Sequence, residues 1–292
     1  MRVGFIGLGV MGRPMAANLA RAGHRMSVYA RRSEAARPLV EAGAGLCASP
    51  AEVAVAAEVV FTMVTAGADV EEIAFGEHGL VRGARPGMVL VDSSTIAPED
   101  ARRIAVRLAG HGVEMLDAPV SGGSRGASDA SLAIMVGGRA EVLARVRPLL
   151  GSIGRTIVHV GPSGAGQVAK ACNQMIMVAC IEAVAEAMLL ARASGVRCDR
   201  VRQALSGGSA ASRVLDFFGA KMAERDFLAG VQARLHHKDF GILMREAIGL
   251  GVALPVVAEV WQQLNALMAH GWGGEDTSNL LRVLETLRPR TS

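Results

Sequence analysis

The 292-residue chain is poor in aromatic side chains, with two Trp, one Tyr and seven Phe. Proteins that bind single-stranded nucleic acid use such rings as stacking platforms, so this scarcity argues against that class. Lys and Arg number 31 against 27 acidic residues, and the basic residues form no run of the kind that binds nucleic acid or anionic lipid. We therefore expect neither a nucleic-acid partner nor a membrane partner.

Cysteine is also scarce: there are four, and none has C-x-x-C spacing. We expect reduced thiols and a cytoplasmic location. His236 and His237 are adjacent and point in different directions, and no carboxylate or second His has ligand spacing, so no metal is predicted. The most apolar stretch, residues 174–190, contains Glu182 and Glu186, which favours a buried helix of a soluble protein over a membrane span.

The length is typical of two domains, and 51% apolar residues with 20% charged ones indicate a folded chain. Short apolar runs alternate with helical patterns in the first half, which predicts a parallel, doubly wound α/β sheet. After Val160 only helical patterns follow, beginning with a long helix over Gln167 to Ala193. We predict a sheet domain over residues 1–162 and an all-α domain over 163–292. The predicted strands are residues 2–7, 26–29, 59–64, 88–91, 113–116, 132–136 and 156–160.

Glycine is abundant, with 35 residues, and Gly7, Gly9 and Gly12 form a G-x-G-x-x-G between the first predicted strand and a helix. The first glycine permits a tight turn, the second lets the backbone approach a pyrophosphate, and the third allows close helix–strand packing. In this context the motif is typical of a Rossmann-type dinucleotide-binding domain. Val10 and Met11 lie within the same loop and are also expected at the cofactor.

The end of the second predicted strand lacks an acidic residue. Sites that prefer NAD place Asp or Glu about 20 residues beyond the glycines, where it binds the ribose 2′-hydroxyl. This chain has Arg31, Arg32 and Ser33 there. Two guanidinium groups and a hydroxyl suit a 2′-phosphate, which predicts a preference for NADP(H) over NAD(H). A solvated basic turn is the alternative interpretation.

Two polar segments follow other predicted strands. Ser121, Gly122 and Gly123 form a turn whose backbone N–H groups could hold a carboxylate. Thr95 ends another strand at what should be the same edge of the sheet, where ligands bind in open α/β folds. A flexible loop without a ligand is the alternative for the Ser-Gly-Gly turn.

Lys170 and Asn173 lie three residues apart on the long predicted helix and therefore share a face. Lysine on this otherwise apolar face is costly unless it is paired or used. Desolvation lowers the pKa of an ammonium group, which would make Lys170 a usable general acid or base. The alternative is a lysine that reaches solvent at the domain boundary. Lys238 and Asp239 precede a further helical stretch, where they could form a solvated helix start.

Taken in order, these segments resemble the β-hydroxyacid dehydrogenase family over residues 2–287. The resemblance implies a Rossmann-type domain, a long connecting helix and an all-α domain like the C-terminal domain of 6-phosphogluconate dehydrogenase, with the active site in the cleft between them. It also implies hydride transfer between NAD(P)H and a small aldehyde acid. The segments that carry it are Gly4 to Gly12, Asp117 to Gly123, Gly161 to Asn173, Lys238 with Asp239, and Gly271 to Ser278.

The resemblance also implies roles for single residues. Lys170 matches the catalytic lysine of the family, and Asn173 matches the asparagine that positions the substrate. Ser121, Gly122 and Gly123 match the turn that binds the substrate carboxylate, and Asp239 matches a residue that lines the site. The cofactor-binding residues expected from motif and resemblance together are Gly7, Gly9, Val10, Met11, Gly12, Arg31, Arg32, Met63, Val64, Thr95 and Lys238.

Within the family, Arg225 to Phe227 and Leu235 to Asp239 resemble the tartronate semialdehyde reductases, also called 2-hydroxy-3-oxopropionate reductases. Val231 is a departure from the family, since relatives often have an aromatic residue in this loop that closes over the substrate. Gln174 stands where 3-hydroxyisobutyrate dehydrogenases tend to have a second Asn. We therefore predict a 2-hydroxy-3-oxopropionate reductase. The alternatives are dehydrogenases of 3-hydroxyisobutyrate, L-serine, L-threonate or 4-hydroxybutyrate, an imine reductase, a 6-phosphogluconate-type dehydrogenase, and a non-catalytic interaction module.

The helical half of the chain has an extensive apolar surface. Such a surface is commonly buried against another subunit, so we expect a homodimer or homotetramer.

Overall fold

The computed structural model describes residues 1–228 and 230–287. The chain forms two compact units, Met1–Lys170 and Ala171–Ser292, which divide inside a single long helix. The domain boundary after residue 162 stays a prediction, because the last residues of the first unit already belong to that helix.

The first unit is built on a nine-stranded sheet. Its strands are β1 (Arg2–Ile6), β2 (Arg25–Tyr29), β3 (Gly45–Leu46), β4 (Val59–Thr62), β5 (Val89–Asp92), β6 (Glu114–Asp117), β7 (Val120–Ser121), β8 (Leu132–Gly137) and β9 (Gly154–Gly161). Its helices are α1 (Gly12–Arg21), α2 (Arg37–Glu41), α3 (Pro50–Ala56), α4 (Gly67–Phe75), α5 (Pro98–Ala109), α6 (Gly123–Ser128) and α7 (Ala140–Gly151). The strand order is β3-β2-β1-β4-β5-β6-β8-β7, and β9 pairs with β8.

The first six strands in this order, β3-β2-β1-β4-β5-β6, are all parallel to one another. The order 3-2-1-4-5-6 is that of a Rossmann domain. The predicted fold class is therefore confirmed, but the sheet is not parallel throughout. β8 runs antiparallel to β6 and β7, because α6 has six residues and rises only about 9 Å, too little to return the chain along a strand. β3 and β7 were not predicted, since two residues show no periodicity.

Both faces of the sheet are covered by helices, which explains why its central strands are continuously apolar. Phe61 of β4 packs in a core with Leu19 of α1, whereas the neighbouring Val60 packs in a second core with Leu108 of α5. All three of β4's first residues are at most 1% exposed. The sheet is thus a rigid support for the loops that follow its strands.

The parallel strands end at one level. In the pairing register Tyr29 lies beside Ile6, Ile6 beside Thr62, Thr62 beside Asp92, and Asp92 beside Asp117. The loops that follow these five residues therefore emerge side by side at the carboxyl edge of the sheet. This edge is where open α/β sheets bind their ligands.

The regular elements among the described residues of the second unit are all helices, as predicted, apart from one isolated β-bridge between Gln232 and Asp276. It contains most of α8 (Ala165–Ala193), followed by α9 (Cys198–Ser206), α10 (Arg213–Glu224), α11 (Ala233–Leu250), α12 (Pro255–Ala269) and α13 (Leu280–Thr286). Its core includes Val178 and Ile181 of α8, Phe240 of α11 and Leu264 of α12. Lys238 and Asp239 were predicted to precede a helical stretch, but both lie within α11, which begins at Ala233.

By length and composition, α8 is the one helix of the described residues that could cross a membrane, and buried helices of soluble proteins pass the same criteria. Its residues at three- and four-residue spacing from Val178 to Met188 are fully buried in the core of the second unit. Its other face exposes apolar side chains, with Ile176 62% and Leu190 69% exposed.

Glu182 on α8 is a buried carboxyl group without a hydrogen-bond partner among the described residues. Its side chain is 6% exposed, and neither carboxylate oxygen has a hydrogen-bond partner among the described residues. Burial raises the pKa of Glu182 from 4.5 to about 7, and the nearby charge of Glu186, one turn further on, raises it further in the same direction. The carboxyl is therefore largely protonated below neutral pH.

Candidate active site

A cavity of about 470 Å³ lies at the carboxyl ends of β1, β2 and β4. Its lining consists of Ile6, Gly7, Leu8, Gly9, Tyr29, Ala30, Arg31, Arg32, Ala35, Pro50, Met63, Val64, Thr65, Asp69, Glu72, Ile73, Glu77 and His78. Six of the residues predicted to bind the cofactor are among them: Gly7, Gly9, Arg31, Arg32, Met63 and Val64. The other five residues of the predicted set lie outside this lining: Val10, Met11, Gly12, Thr95 and Lys238.

The glycine motif shapes one end of the cavity. Gly7 has φ +96°, and a Cβ there would collide with the carbonyl of Met63. A Cβ on Gly12 would collide with the carbonyl oxygen of Gly7, whereas a Cβ on Gly9 would meet no atom within 4 Å. Protein packing therefore explains the first and third glycines, and open space that a ligand could fill lies next to the second. The residues present fit a dinucleotide.

Arg31 and Arg32 follow β2, are exposed and also line the cavity. The Arg31 side chain is 83% exposed, and its Nη1 lies 3.7 Å from Oδ1 of Asp69. An ion pair in which one partner is largely exposed to solvent contributes about 1 kcal/mol or less, so Asp69 holds the guanidinium only weakly. Arg31 is therefore free to change partner when an anion enters the cavity.

A buried polar cluster ties the loops after β4 and β5 together. The Ser94 hydroxyl accepts the Val64 N–H at 2.9 Å and donates to Asp92 Oδ1 at 2.6 Å. The Thr62 hydroxyl donates to the same oxygen at 2.7 Å. Asp92 is fully buried, and burial raises its pKa from 3.8 to about 6, although these hydrogen bonds act in the opposite direction. The cluster fixes the backbone at Val64.

Gln167, in the first turn of α8, holds the loop that contains Thr95. Its side-chain amide donates to the Ser94 carbonyl at 2.8 Å and accepts the Ile96 N–H at 3.1 Å. These two bonds lie on either side of Thr95, which is half-buried. Gln167 was not predicted as a site residue, and its only sequence signal is its place in G-x-G-Q-x-x-K.

Asp117, at the end of β6, holds the start of α8. Its Oδ1 accepts the Gly164 N–H at 2.7 Å and its Oδ2 accepts the Gln167 N–H at 3.0 Å. Burial raises the pKa of Asp117, and the backbone hydrogen bonds oppose this change. Because Lys170 follows three residues after Gln167, the same contacts set the position of the lysine.

Lys170 is 7% exposed, and its Nζ donates to the carbonyl oxygen of Val120 at 2.9 Å. Val120 directly precedes the Ser121-Gly122-Gly123 turn, in which Gly122 has φ +138° and Gly123 has φ +62°. A Cβ on Gly123 would meet no atom within 4 Å, so this part of the turn borders open space. The structure thus brings together the predicted catalytic lysine and the predicted carboxylate-binding turn.

In the second unit, three predicted residues belong to one chain of polar contacts. Asn173 Nδ2 donates to Gln174 Oε1 at 2.9 Å, and Gln174 Nε2 donates to Asp239 Oδ2 at 2.6 Å. Lys238 Nζ lies 3.0 Å from the other oxygen of Asp239. Asp239 is 8% exposed and lies within α11, so it is not a solvated helix start. Gln174 joins Asn173 to Asp239, but the sequence analysis used it only to distinguish between subfamilies.

The two adjacent histidines have structural partners. His236 is buried with Nδ1 at 2.8 Å from the Thr277 hydroxyl, and His237 has Nε2 at 2.9 Å from Asn265 Oδ1 and stacks on Trp261. Within residues 1–228 and 230–287 no group of three or more His, Cys, Asp or Glu could hold a metal ion.

The loop after α10 is anchored by Asp276. This carboxylate is fully buried, and its Oδ2 accepts the N–H groups of Gly230 at 2.9 Å and Val231 at 3.2 Å. Leu228 is 81% exposed, and Ala229 lies outside the described residues. Asp276 belongs to the Gly271 to Ser278 segment, so one role of that segment in this chain is to hold the loop that contains Val231.

Comparison with known proteins identifies the class. Residues 2–161 match the family model of the NAD-binding domain of 6-phosphogluconate dehydrogenase, and residues 164–284 match the model for NAD binding by NADP-dependent 3-hydroxyisobutyrate dehydrogenase. The protein is therefore an oxidoreductase that uses a nicotinamide cofactor and acts on CH–OH groups of small hydroxy acids. It belongs to the β-hydroxyacid dehydrogenase family, which confirms the resemblance found in the sequence.

Individual relatives agree with this family. The 2-hydroxy-3-oxopropionate reductase of Escherichia coli strain K12 is 42% identical, over 98% of each chain. An NAD-dependent L-serine dehydrogenase of Pseudomonas aeruginosa is 37% identical, over 97% of this chain and 98% of the relative. The solved structure of Mycobacterium tuberculosis 3-hydroxyisobutyrate dehydrogenase with L-serine has a TM-score of 0.88 and 34% identity, covering 97% of this chain and 98% of that one.

Proposed function

We propose that the protein reduces 2-hydroxy-3-oxopropionate to 2,3-dihydroxypropanoate with NADPH. The observation that carries this proposal is the buried ammonium group of Lys170 next to the Ser121-Gly122-Gly123 turn. A proton donor beside a carboxylate-binding turn is what an aldehyde acid requires. The 42% identity to a 2-hydroxy-3-oxopropionate reductase supports this choice of aldehyde acid.

Lys170 acts as the general acid in this proposal. A bound reduced nicotinamide supplies the hydride that the carbonyl carbon accepts. The Lys170 ammonium polarises the carbonyl oxygen and gives it a proton, so that negative charge does not accumulate on oxygen. The hydrogen bond to the Val120 carbonyl fixes the direction of the Nζ atom, which keeps the proton donor in place.

The remaining residues bind and orient. The Ser121 hydroxyl and the backbone N–H groups of Gly122 and Gly123 bind the substrate carboxylate. Asn173 orients the substrate, and its contact with Gln174, which bonds Asp239, fixes the orientation of its amide. In the same proposal Asp239 lines the substrate site.

NADP(H) is the proposed cofactor, in preference to NAD(H). Two exposed guanidinium groups line the cavity after β2, at Arg31 and Arg32, and no acidic residue follows that strand directly. Phosphate dianions are bound well by paired guanidinium groups. Gly7, Gly9, Val10, Met11 and Gly12 would hold the pyrophosphate, and Met63, Val64, Thr95 and Lys238 would complete the cofactor site.

The substrate is tested with a kinetic panel. We expect the highest kcat/KM with 2-hydroxy-3-oxopropionate and NADPH, compared with methylmalonate semialdehyde and succinic semialdehyde and with oxidation of L-serine, L-threonate, 3-hydroxyisobutyrate and 4-hydroxybutyrate. A higher kcat/KM for any of the others shows that the proposed substrate is wrong.

The catalytic role is tested with Lys170→Ala, which should lower kcat by about 10²- to 10⁴-fold because proton transfer is lost. Lys170→Arg is the matched variant: it keeps the charge, but guanidinium is too weak an acid to restore the rate. NADPH binding should be retained in both variants. A kcat close to that of the wild type in Lys170→Ala contradicts the assignment.

We also propose that the enzyme is a soluble cytoplasmic homodimer or homotetramer with functional domains at residues 1–162 and 163–292. Support for assembly comes from the exposed apolar side chains of α8, at Val168, Ile176 and Leu190. Light scattering coupled to gel filtration tests it: a single species of one-chain mass at micromolar concentration contradicts the proposal.

A further inference from the structure

The cavity that receives the cofactor has an acidic residue in contact with one of its two arginines. We propose that Asp69 is a specificity-determining residue that opposes the 2′-phosphate and so limits the selectivity for NADPH over NADH. This inference rests on the proposed use of the cavity by the adenosine part of the cofactor. Asp69 belongs neither to the glycine motif nor to the loop after β2, which are the two segments from which cofactor preference is usually read.

Asp69 is fixed by the fold, whereas its partner is not. It lies in the first turn of α4, and its Oδ2 accepts the N–H of Ala66 at 3.1 Å, which caps the helix. Its Oδ1 is directed to Arg31, with 3.7 Å between the charged atoms. The Asp69 side chain is 29% exposed and that of Arg31 is 83% exposed. Arg31 can therefore move to a phosphate, but the carboxylate stays on the cavity wall.

The other charged residues of the cavity lining determine how strongly the Asp69 carboxylate affects a bound phosphate. Arg31 and Arg32 are accompanied in the lining by Asp69, Glu72 and Glu77. A 2′-phosphate adds about 1.5 to 2 negative charges, so it must compete with Asp69 for Arg31 and is repelled by it. A ribose that has only hydroxyl groups adds no charge at this point. The cost of Asp69 therefore falls on the phosphorylated cofactor.

The size of the effect follows from Coulomb's law. A carboxylate about 5 Å from a phosphate dianion, in a solvent-accessible cavity at physiological salt, weakens binding by about threefold to tenfold. Removing that charge should improve binding of the phosphorylated ligand by the same factor. Because the effect is electrostatic, it should become smaller as salt is added.

The test compares two nucleotides that differ only in the 2′-phosphate. Calorimetric titration with adenosine 2′,5′-bisphosphate and with adenosine 5′-monophosphate is performed on the wild type and on Asp69→Asn, at 0.05 M and 0.5 M salt. Asn retains a side-chain acceptor for the Ala66 N–H. We expect the Kd of the bisphosphate to fall about threefold to tenfold at low salt and less at high salt, and the Kd of the monophosphate to change less than twofold.

Asp199→Asn is the matched control. Asp199 also lies in the first turn of a helix and pairs with an arginine, Arg197, at 2.7 Å, but it does not line the cavity. We expect both nucleotides to bind this variant as they bind the wild type. An equal gain for both nucleotides in Asp69→Asn contradicts the inference, as does weaker binding of the monophosphate, which would assign Asp69 to the ribose hydroxyls.

The proposed preference for NADPH and the proposed role of Asp69 are tested by different experiments, so one can be refuted without the other. Kinetics of the wild type with NADPH and NADH test the preference, and a lower KM for NADH refutes it. In that case Asp69→Asn should still move the ratio of the two KM values towards NADPH. Arg31→Ala completes the set: it should raise the KM for NADPH about tenfold or more and leave that for NADH within about twofold.

Discussion

Replacing Glu182 by Gln should stabilise the protein at alkaline pH and leave it nearly unchanged at acidic pH. Gln has almost the shape of a protonated Glu, and neither carries charge. Well below pH 4.5, Glu182 is protonated in both the folded and the unfolded protein, so the two side chains are equivalent. Above neutral pH the wild type must hold an ionised carboxylate that has no partner among the described residues, whereas the variant has no such charge.

The magnitude follows from the pKa. Burial raises it from 4.5 to about 7 in the folded protein, so the folded state binds the proton more tightly than the unfolded state does. The wild type is therefore most stable below pH 4.5 with respect to this group, and it loses stability as the pH rises to about 7. The full loss amounts to about 3 kcal/mol. Glu182→Gln removes this loss.

The assay is chemical denaturation of both proteins at pH 5 and pH 8, with the same measurement on Glu224→Gln as a control. Glu224 is exposed at the end of α10, so its substitution should give no pH-dependent difference. If Glu182→Gln destabilises the protein at pH 8 by more than at pH 5, the carboxylate has a cation partner in the assembled protein, and the reasoning from an uncompensated charge is refuted.

Other substitutions test the remaining parts of the first unit. Gln167→Ala should remove both hydrogen bonds beside Thr95, leave the Ser94 carbonyl and Ile96 N–H unsatisfied, and lower the free energy of unfolding by about 2–4 kcal/mol, measured in urea. An unchanged midpoint would show that the bonds are absent in solution. Gly12→Ala should lower the unfolding temperature by several degrees, because its Cβ collides with the Gly7 carbonyl. Gly9→Ala should keep the unfolding temperature but raise the Kd for NADPH, since only a ligand occupies that space; equal losses of stability in both variants contradict the distinction.

The sequence predicted most of the sheet because its central strands are apolar on both faces. Runs such as Val59–Thr62 and Val89–Asp92 are continuous and are separated by helices with clear periodicity. β3 and β7 were missed because two residues have no pattern, and the antiparallel direction of β8 depends on the length of α6, which the sequence did not reveal. The start of α11 was placed too late, because its first turn contains polar residues that resemble a loop.

The predicted site residues were those with a motif or with a polar group on an apolar face. Lys170 and the Ser121 turn were found in this way, and they are in contact through Val120. Gln167 and Gln174 were not assigned roles, because glutamine is mostly found on protein surfaces and the residue type alone gives no sign of a buried hydrogen-bonded bridge. Asp69 was also missed: it is distant in sequence from Arg31, and only the fold brings the two side chains together.

The shared register of the strand ends has a consequence for how this molecule tolerates insertions and deletions. Tyr29, Ile6, Thr62, Asp92 and Asp117 lie in one row, and each is followed directly by residues of the cavity or of the hydrogen-bonded loops beside it. One residue added within β4 or β5 would shift the loop after it by about 3.3 Å and reverse the faces of the side chains that follow. The turns at the other edge of the sheet, such as the one before β5, carry no such constraint. Variation in chain length should therefore accumulate at the amino edge of the sheet and be excluded from the strands themselves.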